Sequence, residues 1–316
     1  MTRIDILALD GVFDTGLAAV RDVFGAAVEL TGGEFNLQMR TIGLRRSVKT
    51  AGGLSVPVEP ADSGSLPDIV IAPALGTKTP DSLRAALERR DVRDAVGLLS
   101  EQGGAGVRVA GACTGTFMLA DAGLLDGRAA TTTWWLAPFL RERHPRVLLD
   151  ESRMLVAAGE VITAGAALAH LDLALWLLRQ LSPATASLVA RYLMIDERPS
   201  QAAYVITDHL AHADPMIERF ERWARSNLGQ GFSLTAAAHA VGTSERTLAR
   251  RLQRVLGKTP LSYFQDLRVE RAVHLLKTGR ASVDAIASEV GYADGVTLRT
   301  LLRKKLGRGV RELRGA

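Results

Sequence analysis

The last hundred residues contain one pattern twice, and this repeat constrains the fold more than any other feature of the chain. Alanine stands four residues before glycine at Ala238 and Gly242, and again at Ala287 and Gly291, with the two glycines 49 residues apart. A short helical pattern precedes each glycine and a longer one follows it. A helix-turn-helix unit needs a small residue where its helices cross and a glycine that tolerates positive φ in the turn. The repeat therefore predicts two such units.

The second helix of each unit carries a stripe of apolar residues. The stripes contain Leu248, Leu252, Val255 and Leu256 in the first unit and Leu298, Leu301, Leu302 and Leu306 in the second. A stripe of this kind faces a core and leaves the opposite side of the helix open. An open helix fits the major groove of duplex DNA, where arginine pairs with guanine. The candidate DNA-binding residues on the open sides are Arg246, Thr247, Arg250, Arg254, Val296, Thr297, Arg299, Thr300, Arg303 and Lys304.

These candidates differ in the contacts that they are expected to make. Contacts to base edges are predicted for Arg246, Thr247 and Arg250 in the first unit and for Val296, Thr297, Arg299, Thr300 and Arg303 in the second. Val296 is suited to the methyl group of thymine. Arg254, Lys304 and the neighbouring Lys305 are predicted to contact phosphates, which set affinity but carry no sequence information. For any single residue, the alternative is an ordinary solvated side chain on an amphipathic helix.

The charge of the chain is also concentrated in this region. Residues 214–316 hold 19 Lys and Arg against 10 Asp and Glu, a net of +9, whereas the preceding 213 residues hold 20 and 24, a net of −4. A basic tail after an acidic body is typical of a chain that meets a polyanion with one domain only. A helix over 263–276 is predicted to join the two units and to fix their relative placement.

The tail resembles a known family in a series of linked motifs. They are Pro260-Leu261-Ser262-Tyr263, Leu267-Arg268, Glu270-Arg271-Ala272, Leu275-Leu276, Val283, Ile286-Ala287, Val290-Gly291-Tyr292 and Asp294. This run is similar to the DNA-binding domain of AraC/XylS-type regulators over about the last ninety residues. One departure is visible, since Gly307-Arg308-Gly309-Val310 and Leu313-Arg314 replace that family's usual closing signature.

Short apolar runs alternate with helical patterns through the first two hundred residues. Strands are predicted at 4–9, 69–72 and 107–110, and helices at 17–30, 83–99 and 117–125. This alternation predicts an α/β domain of the doubly wound, flavodoxin-like kind, with a parallel sheet between two layers of helices. After residue 181 only helices are predicted, at 184–195 and 215–227, with Asp214-Pro215 as an N-cap and first-turn proline. We predict a sensing or dimerising domain at 1–206, a linker at 207–213 and the all-α DNA-binding domain at 214–316.

The strand at 107–110 runs into Gly111-Ala112-Cys113-Thr114-Gly115, and a helix follows. A cysteine among small residues between a strand and a helix forms an elbow, where a tight turn presents the side chain and the helix N-terminus favours a thiolate. A buried structural cysteine is the competing interpretation. Cys113 is the only cysteine, which excludes an intrachain disulfide and favours a reducing compartment.

The elbow and its surroundings resemble the ThiJ/PfpI group of class I glutamine-amidotransferase-like domains. The matching segments are Leu119-Ala120, Ala122-Gly123-Leu124-Leu125, Gly127-Arg128, Ala130-Thr131-Thr132, Ile162-Thr163-Ala164-Gly165, Asp172-Leu173-Ala174-Leu175 and residues 198–204. AraC-type regulators that carry such a domain in front form a distinct type, and the whole chain is similar to them. Enzymes of the group pair the elbow cysteine with a histidine shortly downstream and with an acidic residue after the first strand.

Both partners of the cysteine are altered in this sequence. Thr133 followed by Trp134 stands where the resemblance implies histidine, and a threonine cannot act as the general base. Asp14 lies near the acidic position, although Gly16 aligns better with it. The histidines that remain as substitutes lie outside any motif, namely His144, His170, His209 and His212.

We therefore predict no catalysis, and instead a front domain that binds a small effector, forms a homodimer, or does both. The candidate pocket residues are Asp14, Cys113, Thr114, Thr133 and Trp134, with Cys113 vestigial or a redox sensor. A cysteine-dependent amidohydrolase-like enzyme fused to a DNA-binding domain is the alternative. The expected partners are double-stranded promoter DNA, an effector and RNA polymerase, without a membrane, metal or cofactor, and the expected location is the cytoplasm.

Overall fold

The computed structural model describes residues 1–61, 66–196, 198, 200–201 and 214–314. The chain divides into two compact units, Met1–Gln201 and Ala202–Ala316. The predicted linker at 207–213 lies outside the described residues, so the exact domain boundary stays a prediction. Among the described residues, no helix combines the length and the apolar character needed to cross a bilayer.

A seven-stranded sheet forms the centre of the first unit. The strands in chain order are β1 (Thr2–Leu7), β2 (Leu37–Gly43), β3 (Ser47–Lys49), β4 (Ser55–Pro57), β5 (Glu59–Pro60), β6 (Ile69–Ala72), β7 (Arg108–Ala112), β8 (Ala129–Ala130), β9 (Leu148–Leu149), β10 (Leu155–Ala158) and β11 (Val161–Ala164). The sheet order is β10-β11-β7-β6-β1-β2-β5. All its pairs are parallel except β10 with β11. β3 pairs with β4 and β8 with β9 in two small separate sheets.

Helices cover both faces of this sheet, as the doubly wound prediction requires. They are α1 (Asp14–Leu30), α2 (Pro80–Leu87), α3 (Arg90–Gly104), α4 (Gly115–Asp121), α5 (Ala137–Arg143), α6 (Ala169–Leu181) and α7 (Pro183–Tyr192). Successive strand residues point to opposite faces. Accordingly Ile69 and Ile71 of β6 join the core under α1, α6 and α7, whereas Val70 and Ala72 join the core under α2 to α5.

The prediction of one helix over 83–99 was wrong, because α2 and α3 are separate helices. The break lies at Arg89, whose backbone is extended and which forms the N-cap of α3. Its guanidinium donates to the carbonyl of Asp10 at 2.7 Å and to Asp91 Oδ2 at 2.6 Å. The Asp91 acceptor is local, but the Asp10 carbonyl is distant in the sequence. The periodicity of apolar residues therefore does not reveal the break at Arg89.

The second unit is built from helices alone over its described residues. They are α8 (Pro215–Ser226), α9 (Leu234–Ala240), α10 (Glu245–Leu256), α11 (Pro260–Thr278), α12 (Val283–Glu289), α13 (Gly295–Leu306) and α14 (Val310–Arg314). A side chain caps the N-terminus of each helix from α8 to α13. The caps are Asp214, Ser233, Ser244, Thr259, Ser282 and Asp294. The atypical closing segment forms the short α14, anchored by the buried Leu313.

Candidate nucleic-acid interface

Both predicted turns have the backbone that a helix-turn-helix unit requires. Gly242 lies between α9 and α10 with φ +72°, and Gly291 lies between α12 and α13 with φ +83°. Ala238 and Ala287 are buried where the paired helices cross. Local sequence fixes this geometry, because each glycine directly follows the C-cap of the first helix and a side-chain cap starts the second helix.

The candidate DNA-binding residues lie on the open sides of α10 and α13. All are exposed except Thr247, which is half-buried beside its capping partner Ser244. Val296 is 67% exposed, which is unusual for an aliphatic side chain on an otherwise amphipathic helix. Three leucines of each predicted stripe are buried, whereas Val255 and Leu301 are half-buried. The sequence pattern therefore identified the exposed faces correctly.

The cations among these candidates hold no carboxylate partner. They are Arg246, Arg250, Arg254, Arg299, Arg303 and Lys304. Within the part of the chain that the structure describes, none of them forms an ion pair, whereas several neighbouring cations do. Exposed cations without an ion-pair partner, on a helix that fits the major groove, can bind phosphates and the acceptor atoms of guanine.

Neighbouring basic residues are already engaged within the second unit. Arg251 Nε pairs with Asp214, the N-cap of α8, and Lys305 Nζ pairs with Asp266 Oδ1 on α11. Lys258 Nζ lies 2.9 Å from the other oxygen of Asp266. Lys305 was predicted to contact phosphate, but its ammonium group is half-buried and bonded to a carboxylate. No local pattern indicates this pairing, since Asp266 lies 39 residues earlier.

Arg268 is a further basic residue with a structural position. It is 9% exposed, and its Nε donates to the carbonyl of Leu228 at 2.9 Å while Nη2 donates to the carbonyl of Gln230. Its guanidinium lies over the rings of Phe264 and Tyr292, at 4.8 and 5.2 Å from their centroids. Arg268 thus joins α11 to the loop before α9 and to the turn after α12.

The predicted elbow is present in the first unit. Cys113 follows β7 with φ +56°, a strained value for a residue with a side chain, and α4 begins two residues later. The backbone N–H of Cys113 donates to the carbonyl of Ala164 at 2.9 Å, and the Thr132 hydroxyl donates to the Cys113 carbonyl at 2.7 Å. The elbow conformation is therefore held by contacts from the neighbouring strand and from the segment before α5.

The environment of the thiol disfavours the thiolate. Cys113 is 4% exposed, and burial raises its pKa from 9.0 to about 12. The Thr114 backbone and the nearby Thr133 hydroxyl lower this pKa, but by less than burial raises it. The expectation that the helix N-terminus favours a thiolate was wrong, because desolvation by the surrounding core dominates.

The other candidate pocket residues divide into two places. Thr114 and Thr133 are fully buried beside Cys113, and Trp134 is 7% exposed with its ring edge against Trp135. Asp14 instead accepts hydrogen bonds from the Thr50 hydroxyl and, at 2.8 Å, from the N–H of Gly52. These bonds lower the pKa of the Asp14 carboxyl, with the Thr50 hydroxyl as the largest cause. Its carboxylate is thus engaged by the turn between β3 and β4.

The two described histidines considered as substitute bases are both engaged elsewhere. His144 Nε2 lies 2.8 Å from Asp121 Oδ1. His170 is fully buried; its Nδ1 bonds the carbonyl of Ala167, and its Nε2 accepts from the N–H of Ala74 at 3.0 Å. Burial lowers the pKa of His170 to about 4, so the ring is neutral near pH 7. His209 and His212 lie outside the described residues.

A cavity of about 290 Å³ opens in the first unit among α6, α7, β10 and the segment after α7. Its lining consists of Arg153, Met154, Leu155, Asp172, Leu175, Trp176, Arg179, Ala190, Ile195, Asp196 and Arg198. Arg198 Nη2 donates to the carbonyl of Leu168 at 2.9 Å and pairs with Asp172. No candidate pocket residue from the sequence lines this cavity. Its lining comes from three separated segments. Asp172, Leu175 and Arg198 belong to segments that resemble the ThiJ/PfpI group, but the resemblance does not indicate that these segments meet at a cavity.

Comparisons with known proteins agree with this architecture. A helix-turn-helix domain family matches residues 237–316. The HTH-type transcriptional regulator GbdR of Pseudomonas aeruginosa is 28% identical over 296 residues, which covers 92% of this chain and 77% of that protein. The HTH-type transcriptional regulator GlxA of Rhizobium meliloti is 29% identical over 197 residues, which covers 60% of this chain and 59% of that protein.

Two solved structures show the fold of the larger part of the chain. An AraC family transcriptional regulator from Pseudomonas putida matches 61% of this chain and 100% of its own, with a TM-score of 0.53 and 20% identity. A ThiJ/PfpI family protein from Pseudomonas syringae matches 63% of this chain and 76% of its own, with a TM-score of 0.50 and 21% identity. Together with the repeated turns and the elbow, these findings show that the chain is similar to AraC-type helix-turn-helix transcription regulators and that its first unit has the fold of ThiJ/PfpI family proteins.

Proposed function

We propose that this regulator recognises specific DNA sequences by inserting α10 and α13 into the major groove. The observation that supports this proposal is the set of six exposed cations on the open sides of these two helices, none of which forms an ion pair among the described residues. Two recognition helices in one chain suit successive major-groove turns, which are about 34 Å apart along a duplex. Base readout is assigned to the residues at the start of each helix, and phosphate contact to Arg254 and Lys304.

Selection of bound fragments from random duplexes with the full chain tests this proposal. A shared sequence among the selected fragments is expected, and Arg250→Gln is expected to relax preference at one position and to cost about 1–3 kcal/mol of binding free energy. Arg222→Gln is the matched control, because Arg222 is an exposed arginine on α8 that pairs with Glu218. An unchanged base preference in the Arg250 variant would reassign this residue to the phosphate backbone.

For the first unit we infer a sensing role without catalysis. Two observations support this inference. The raised pKa of Cys113 disfavours the thiolate nucleophile, and Thr133 cannot act as the general base that would activate the thiol. The elbow conformation itself favours the alternative, a cysteine-dependent hydrolase. Alkylation separates the two, since a catalytic thiol would react with iodoacetamide near neutral pH much faster than free cysteine.

We further infer that a small effector binds in the cavity beside α6, rather than at the elbow. The cavity combines the indole of Trp176 and apolar side chains with the guanidinium of Arg153, which forms no ion pair among the described residues. Screening of small metabolites by thermal shift is expected to give hits whose effect disappears in Trp176→Ala and Arg153→Ala. Hits that survive both changes, but not Thr133→Val, would move the site to the elbow.

We also propose that the first unit forms a homodimer. Apolar side chains exposed on and after α7 support this, since Leu188 is 43% exposed, Tyr192 63% and Met194 90%. Analytical ultracentrifugation at micromolar concentration is expected to show a dimer that Tyr192→Glu weakens. A monomer for the unmodified chain would contradict the proposal. Contact with RNA polymerase stays a prediction from the sequence.

A further inference from the structure

Asp266 occupies a particular place in the second unit. It lies on α11, the 19-residue helix that runs from one helix-turn-helix unit to the other. One carboxylate oxygen lies 2.9 Å from Lys258 Nζ, and the other is bonded to Lys305 Nζ. Lys258 directly follows the C-cap of α10, and Lys305 lies in the last turn of α13. A single side chain thus connects the ends of both recognition helices.

We infer that Asp266 is a positioning residue, which holds α10 and α13 in one relative placement and so sets the spacing between the two DNA segments that the chain reads. This inference rests on the proposed function, in which both helices read DNA. Two other ion pairs of α11 among the described residues lead elsewhere. Arg271 with Glu289 connects α11 to α12, and Glu270 with Arg225 connects it to α8.

The Asp266 cluster, formed by Asp266, Lys258 and Lys305, is partly buried. Its ion pairs are therefore expected to hold the helices in place more strongly than exposed ion pairs would. The side chain of Asp266 is 20% exposed and those of Lys258 and Lys305 are each 26% exposed, whereas Arg271 and Glu289 are 45% and 49% exposed. Water screens the two ammonium groups less at such a site. Each ammonium group contacts one oxygen of the same carboxylate.

The effect of removing the charge follows from hydrogen-bond chemistry. In Asp266→Asn, the amide oxygen can accept from one lysine, but the amide nitrogen is a donor and cannot bond the other. Two neighbouring ammonium groups without a carboxylate repel each other. The ends of α10 and α13 are then expected to move apart. Within each helix, the side chains proposed to read bases are expected to remain on the exposed side.

The experiment measures the affinity of the full chain for duplexes that differ only in spacing. One duplex carries both recognised segments at the selected spacing, others carry them one or two base pairs closer or farther apart, and one carries the first segment alone. For Asp266→Asn we expect about tenfold weaker binding at the selected spacing. We also expect a flatter dependence on spacing and, within roughly twofold, unchanged binding of the single segment. If Asp266 only stabilised the fold, Asp266→Asn would weaken binding to the single segment and to every spacing by a similar factor.

Two variants serve as matched controls. Glu289→Gln removes an ion pair of the same helix and is expected to leave the spacing dependence unchanged. Asp266→Glu keeps both acceptor oxygens and is expected to restore most of the discrimination between spacings. Amide hydrogen exchange over α10 and α13 checks that each variant is folded.

Several outcomes would overturn the inference. Tighter binding of every duplex by Asp266→Asn, with a steeper salt dependence, would mean that the carboxylate only masks two phosphate-binding lysines. An unchanged spacing profile would show that Asp266 does not position the helices. Equal affinity of the unmodified chain for one segment and for both would refute the inference but leave recognition by the first helix-turn-helix unit intact. Only a lack of sequence-specific binding by the unmodified chain would refute the proposed function itself.

Discussion

Replacing each turn glycine with alanine should give very different losses of stability, although the two turns share one sequence pattern. Both glycines have positive φ, and an alanine there costs about 1–2 kcal/mol in backbone strain. A Cβ at Gly242 would meet no atom within 4 Å. A Cβ at Gly291 would overlap Arg268 Nη2 and lie 2.5 Å from the carbonyl oxygen of Leu228. The guanidinium must therefore move in Gly291→Ala.

The additional cost at Gly291 follows from what Arg268 bonds. Its guanidinium donates to the carbonyls of Leu228 and Gln230, and a hydrogen bond from a charged group contributes about 1.5–3 kcal/mol. With the loss of one such bond added to the strain, Gly291→Ala is expected to destabilise the second unit by about 3–5 kcal/mol. Gly242→Ala is expected to cost only the strain, about 1–2 kcal/mol.

Hydrogen exchange followed by mass spectrometry measures this difference within the full chain. Amides of α12 and α13 in Gly291→Ala are expected to exchange at least about a hundredfold faster, and those of α9 and α10 in Gly242→Ala about tenfold faster. Exchange in the first unit serves as the internal control for each variant. Equal losses in the two variants, or a larger loss at Gly242, would refute the argument from steric contact.

Two further predictions concern the first unit. Burial raises the pKa of Cys113 to about 12, so native protein at pH 8 should react with iodoacetamide at least about a hundredfold more slowly than urea-unfolded protein. Mass spectrometry measures both rates. Equal rates would show that the thiol is accessible in the native protein. Burial lowers the pKa of His170 from 6.5 to about 4, so the unfolded chain binds the proton first as pH falls. Up to about 3 kcal/mol of stability present above pH 6.5 should be lost by pH 4, and urea unfolding of His170→Gln should show a pH dependence smaller by that amount.

The second unit was the more predictable part of the chain, because its structure depends on short-range signals. Turn glycines and capping residues lie within a few positions of the backbone that they determine, and leucine periodicity identifies the buried side of α10 and α13. The partners of the basic residues were not predictable in this way. Asp214 bonds Arg251 across 37 residues and Asp266 bonds Lys305 across 39, so only the packing of the helices brings them together.

At the elbow, too, neighbouring residues determine the backbone conformation, whereas residues distant in the sequence determine the environment of the side chain. The small residues around Cys113 predicted the tight turn, which the structure contains. Whether the thiol ionises depends on how deeply the turn is covered, and Thr132 and Thr133 supply part of that cover from the segment before α5. The sequence therefore predicted the conformation of Cys113 but not the environment that sets its pKa. The cavity beside α6 was missed because its lining comes from three separated segments of the chain.

The two helix-turn-helix units differ in how their turns are supported, even though their patterns match. The turn at Gly242 is exposed, whereas the turn at Gly291 contacts Arg268, and Tyr292 beside it lies under the same guanidinium. The second helix-turn-helix unit is thus connected to α11 by a buried arginine as well as by Asp266. The first helix-turn-helix unit is connected to Asp266 through Lys258, which follows α10. A disturbance of the Asp266 cluster should therefore displace α10 more readily than α13, because α13 follows a turn that Arg268 also holds.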